Sequence, residues 1–164
     1  MTTQPEKAEI VAALRDRVRT QLEALTESQQ ASQAGAAHAE ARSEHPKDTR
    51  STEASYLARG LADRVGQLQS AIIGLAEFAP PALPPAAPVA LGALVGVEDE
   101  DGATTVHFLV PQGGGEKLPF STGVIQALSP ASPLGQALLG RRAEDEFEVD
   151  LPRGRVPCTI SWVR

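Results

Sequence analysis

Apolar residues recur every three or four positions through the first half of the chain. In parts of the second half they recur every second position, and a proline-rich break lies between. Ile10, Leu14, Val18, Leu22 and Leu25 mark one face of a helix expected from about Glu6 to Glu44. Beyond Leu25 the stripe thins to Ala31, Ala34, Ala36, Ala37 and Ala39. From Ser51 to about Ala76, the residues Ala54, Ala58, Leu61, Val65, Leu68, Ile72 and Leu75 alternate spacings of four and three, the seam of a coiled coil. The polar stretch His45 to Arg50 separates the two runs, so they predict an antiparallel helical hairpin. Large apolar residues stand at its open end and alanines near its turn, giving a firm base and a slender tip. The second helix reaches roughly 40 Å. A coiled-coil dimerisation element has the same pattern.

Residues 79–88, APPALPPAAP, predict an extended, semi-rigid linker. This divides the chain into a hairpin over 1–78, with its tip near 44–53, and a second domain over 89–164. There Val89 to Val97 is apolar enough for a buried strand, and Glu98 to Gly102 is an acidic turn. Thr104 to Val110 is rich in β-branched residues, and Val124 to Leu128 is a short strand. Asp145 to Leu151 alternates Phe147, Val149 and Leu151, and Val156 to Val163 alternates Val156, Cys158, Ile160 and Trp162. Between them Ser132 to Gly140, SPLGQALLG, has a capping Ser and a first-turn Pro. One apolar face carries Leu134, Leu138 and Leu139, and a Gly stop precedes Arg141 and Arg142. Barely two turns long, this helix must lie on a sheet. Five strands and one short helix make an α+β domain with an antiparallel sheet.

Composition narrows the function classes. A formal net charge of −6 argues against a general nucleic-acid coat. The single Cys158 excludes an internal disulfide and points to a reducing, cytoplasmic setting. No run of apolar residues is long enough to span a membrane, and MTTQPEKAEI lacks the basic-then-apolar plan of a secretion signal. Gly113-Gly114-Gly115-Glu116-Lys117 lacks the spacing and the following Ser or Thr of a phosphate loop, so it predicts a connecting loop. His38, His45 and His107 are too scattered for a metal site. Glu144, Asp145, Glu146 and Glu148 form either a solvated strand edge or a face for a basic partner.

The order of elements, with SPLGQALLG and its continuation RRAEDEFEV, resembles the bacterial Gre transcript-cleavage factors. VHFLVPQGGGEK (Val106 to Lys117) is similar to the preceding strand and loop of that family. DTRSTEASY (Asp48 to Tyr56) is similar to the start of its second helix. The resemblance implies a helical hairpin followed by a domain of FKBP-like fold. It also implies a monomeric factor that binds RNA polymerase at the secondary channel and contacts nascent RNA only indirectly. Docking would use Ser132, Pro133 and Leu134. The tip carboxylates Asp48 and Glu53 would help hold a magnesium ion shared with the polymerase, which then cuts its own backtracked transcript. Such a factor has no cofactor of its own and is not a free-standing enzyme.

Family tips carry an Asp and a Glu separated by two residues. Here Asp48 and Glu53 are separated by four, Thr52 stands where alignment on Tyr56 puts the Glu, and Lys47 and Arg50 lie nearby. Ala131 replaces an acidic residue that often precedes the Ser-Pro. From the residues alone the alternatives are a solvated turn with Asp48 capping the second helix and a general coiled-coil interaction protein; the resemblance also leaves room for a channel-binding regulator that promotes no cleavage. A prolyl isomerase needs an aromatic-lined pocket, and Phe108, Phe120, Phe147 and Trp162 are the domain's whole supply.

Overall fold

The computed structural model describes residues 4–40, 49–152 and 154–164. Two long helices lead, α1 (Lys7–Glu40) and α2 (Thr49–Glu77). The Glu9 carboxylate accepts the backbone N–H of Glu6 at 3.1 Å, which satisfies a donor at the start of α1. Ile10, Leu14 and Val18 of α1 are buried with Leu68, Ala71 and Leu75 of α2. Leu22, Leu25, Leu61 and Val65 are half-buried, whereas Ala54 and Ala58 are exposed. This is the taper that the apolar pattern predicts, from a packed base toward a thin outer end. α2 begins two residues before the expected Ser51. Glu44 and Asp48 lie outside the described residues.

Six strands follow: β1 (Leu94–Asp99), β2 (Thr104–Leu109), β3 (Lys117–Phe120), β4 (Gly123–Leu128), β5 (Glu146–Leu151) and β6 (Gly154–Val163), with α3 (Pro133–Leu138) after β4. They form one sheet in the order β3-β4-β2-β1-β6-β5. Two features correct the expected five-stranded antiparallel sheet. β3 is an additional strand, and β2 pairs with β4 in parallel. The cause of both is the connection after β2, which runs out to the sheet edge, forms β3, and returns as β4 between β3 and β2. In the loop on the way, Gly113 and Gly115 have φ of 77° and 97°. A Cβ on Gly114 would stand 2.7 Å from the Ser129 amide nitrogen, so all three glycines are required.

Both faces of the sheet are covered. Leu94, Phe108, Leu118, Ile125 and Ala127 join the hairpin base in one hydrophobic cluster. Val95, Val97, Leu109, Phe147, Val149 and Ile160 join Leu138 of α3 in a second. Double coverage explains the unbroken apolar run at the start of β1. The proline-rich segment therefore separates two kinds of structure without separating two cores. Lys7 Nζ donates to the Pro81 carbonyl at 2.8 Å, tying that segment back to α1.

β6 departs from its expected alternation. Gly96 pairs with Trp162 and Val97 with Ile160, so Ser161 is an extra residue in a bulge. The bulge turns Trp162 to the hairpin side, while Cys158 and Ile160 stay on the α3 side. Gly96 leaves room for the ring, since a Cβ there would overlap the Trp162 indole. No described helix is long and apolar enough to cross a membrane.

Candidate functional site

The segment after β4 forms a tightly fitted corner. Ser132 is the N-cap of α3, and its Oγ accepts the Gly135 N–H at 3.0 Å. The same hydroxyl donates to the Ser129 carbonyl at 2.7 Å. Pro133 occupies the first turn, where its missing N–H costs nothing. Gly135 is buried against the preceding chain, and a Cβ there would overlap the Ser129 carbonyl oxygen. Leu138 is fully buried and Leu134 packs against the same cluster. Gly140 turns the chain with φ of 81°, and its N–H reaches the Val89 carbonyl at 2.8 Å. Arg141 Nε donates to the Ala137 carbonyl at 2.6 Å, and the guanidinium lies 5.4 Å from the Phe147 ring centroid.

Of the three expected docking residues, Ser132 and Leu134 are turned inward to hold the corner, and Pro133 is exposed. Leu139, expected on the buried face with Leu138, lies outward at 40% exposure. A short helix cannot bury both members of a Leu-Leu pair on one narrow face, a signal that marks Leu139 beforehand. Pro133, Gln136 and Leu139 are thus exposed on α3 and its C-cap.

The second candidate region is the outer part of α2. Residues 52–60 are all exposed, Glu53 among them. Tyr56 and Leu57 are each 69% exposed, a large apolar display for adjacent helical residues. Thr52, Ser55, Tyr56 and Arg59 line a shallow groove of about 290 Å³. Sequence reasoning placed Tyr56 in the tip match but overlooked Leu57, which falls off the Ala54–Ala58–Leu61 seam and so had no partner helix to face. Glu53 lies 15 positions before Leu68, where α2 enters the shared core, roughly 22 Å along the helix. The corner and the outer hairpin are therefore separate regions. Among the described residues no group of three or more His, Cys, Asp or Glu is arranged to hold a metal. Glu53 offers one hard oxygen donor group, and Asp48 lies outside the described residues.

The other chemistry-bearing residues have local explanations. Asp145 accepts the Arg142 N–H at 2.7 Å, and Glu148 and Asp150 pair with Arg155 at 3.6 and 3.0 Å on the edge strand β5. Burial, then Asp99 and Glu100, push the Cys158 thiol pKa up, which disfavours the reactive thiolate. Phe108 and Phe147 are buried, and Phe120 and Trp162 pack against the hairpin cluster, so all four rings of the sheet domain serve packing.

Residues 84–164 match the family described as "Transcription elongation factor, GreA/GreB, C-term". The chain is 43% identical over 75 residues to transcription elongation factor GreA of Desulfovibrio desulfuricans, covering 46% of this chain and 43% of that protein. It is 36% identical over 72 residues to GreA of Nitratidesulfovibrio vulgaris, covering 44% and 42%. These matches thus span less than half the length of either relative. The solved structure of Thermus aquaticus Gfh1 is similar over 93% of this chain and 95% of that one, with 22% identity and a TM-score of 0.41. Through its C-terminal half the chain belongs to the GreA/GreB family of transcription elongation factors.

Proposed function

We propose that this protein binds RNA polymerase at its secondary channel and stimulates cleavage of backtracked transcripts, so that stalled elongation resumes. The observation that carries the reading is the seating of the hairpin base on the sheet of the family-matching half. That seat lets a docked domain aim the outer hairpin, with exposed Glu53, Tyr56 and Leu57, at a distant point. In this reading Pro133 and Leu139 contact the polymerase, while Ser132 and Leu134 shape the corner that presents them. Asp48 and Glu53 meet the catalytic centre and supply oxygen ligands to a second magnesium ion, which activates the attacking water. The factor completes the polymerase's active site and has no catalysis of its own. It acts in the cytoplasm as a monomer and meets the nascent RNA only inside the complex.

A second reading has a specific observation in its favour. Asp48 and Glu53 are spaced more widely than the family's tip pair, with Thr52 in the place of the Glu. A factor so altered occupies the channel and modulates initiation or pausing without cleavage. One experiment separates the two: the full chain is added to stalled, backtracked elongation complexes, and transcript length and co-elution are measured together. Shortened transcripts with wild type, and none with Asp48→Ala/Glu53→Ala despite co-elution, support cleavage. Co-elution without cleavage by wild type supports the second reading. No co-elution removes both.

A further inference from the structure

A cleft of about 890 Å³ opens where the start of α1, the proline-rich segment and the end of β6 meet. Val11, Leu75, Phe78, Leu83 and several prolines make its walls apolar. Its charged side chains are Lys7, Arg15 and Arg164, against one side-chain carboxylate, Glu6. The next arginines on α1 are paired, Arg17 with Glu116 at 3.3 Å and Arg19 with Asp16 at 3.1 Å. Among the described residues, no ion pair joins Lys7, Arg15 or Arg164 to an acid. Arg15 Nε is buried and has no hydrogen-bond acceptor. A guanidinium N–H left so is costly, and an incoming anion removes the cost. Lys7 already donates to Pro81, and its pKa is lowered by burial and then by the Arg164 charge, a second sign of uncompensated positive charge. Three such cations on an apolar cleft stand out in a chain of net charge −6.

We propose that this cleft binds an acidic, partly apolar segment of a partner protein in extended form, a carboxylate meeting Arg15 and Arg164 while apolar side chains lie along the prolines. Pro80, Pro81, Pro84 and Pro85 have no N–H, so that wall is poor in backbone donors for an anion. Recognition falls to the guanidinium forks, whose geometry suits carboxylates. Phe78 is the only aromatic ring in the lining, too little for stacking successive bases, and the chain's net charge disfavours a polyanionic nucleic acid. The cleft involves neither α3 nor the outer hairpin, so the inference does not rest on polymerase binding.

The test titrates the full chain into a short fluorescein-labelled peptide alternating Glu and Leu, followed by anisotropy, with a Gln and Leu counterpart as control. The Glu peptide binds, and the Gln peptide binds about tenfold more weakly. Arg15→Gln and Arg164→Gln each weaken the Glu peptide by about tenfold, and Glu6→Gln tightens it. Arg164 is exposed, so Arg164→Gln keeps the test valid even if Arg15→Gln disturbs the hairpin. No binding of the Glu peptide, equal binding of both peptides, wild-type affinity in Arg164→Gln, or displacement of the peptide by a lower concentration of an oligouridine RNA each overturns the proposal.

Discussion

In the corner around α3, Ser132, Gly135, Leu138 and Gly140 each meet a particular partner, whereas residues 52–60 of α2 are exposed in an unbroken run. The corner's sequence is dictated by fit, with little freedom left at any of those four positions. On the outer hairpin almost any helix-forming residue satisfies the fold, so what stands there is open to selection for what it meets. Stability is concentrated in the first region. The action proposed for the protein is concentrated in the second.

Substitutions can break that contrast or sharpen it. The largest effect is expected of Gly135→Ala, because the added Cβ collides with the Ser129 carbonyl oxygen, which accepts both the Ser132 N–H and the Ser132 hydroxyl. Thermal or denaturant unfolding should show a loss of about 3 kcal/mol or more. A loss below about 1 kcal/mol would mean the corner is looser than its packing indicates.

Acid gives the next effect, and it arises in the sheet. His107 is buried in β2, its Nε2 lies 2.9 Å from Thr105 Oγ1, and burial lowers its pKa from 6.5 to about 4. Between those values the unfolded chain holds a proton that the folded chain refuses, so stability falls as pH drops below 6.5. About 2 kcal/mol should be lost between pH 7 and pH 5, and His107→Phe should flatten that slope. An equal slope in the variant would assign the loss to other groups. Ser132→Ala removes a cap and should cost about 1 kcal/mol. Smallest of all, Tyr56→Ser with Leu57→Ser should shift stability by less than about 0.5 kcal/mol. The same pair should weaken the effect on stalled elongation complexes, and a variant that unfolds early instead would show that the outer hairpin is held by packing after all.

Legibility in the sequence follows the same division. The two long helices and the corner were readable because packing writes a period or a cap into the residues. β3 was hidden by Pro119, which ordinarily argues against a strand; at the sheet edge, beside Val124 of β4, its missing N–H does no harm. The parallel pairing of β2 and β4 left no trace because alternation reports which face a residue occupies and is silent on strand direction. Trp162 changed face because one inserted residue, Ser161, reverses every later position. In the candidate sites, Leu139 was recognisable as a surplus apolar residue once Leu138 had claimed the buried position, and Leu57 as an apolar residue lying off the helix seam. The inward turn of Ser132 and Leu134 was not, since a cap and a surface contact use the same residue types.

The bulge at Ser161 also gives the molecule a built-in optical gauge. Trp162 is the chain's only tryptophan, and the bulge sets it against the cluster shared by hairpin and sheet. Its emission therefore reports the seating of the hairpin base without any added dye. A red shift would register the base lifting from the sheet, and an unchanged spectrum on polymerase binding would mean the arm enters its target still seated.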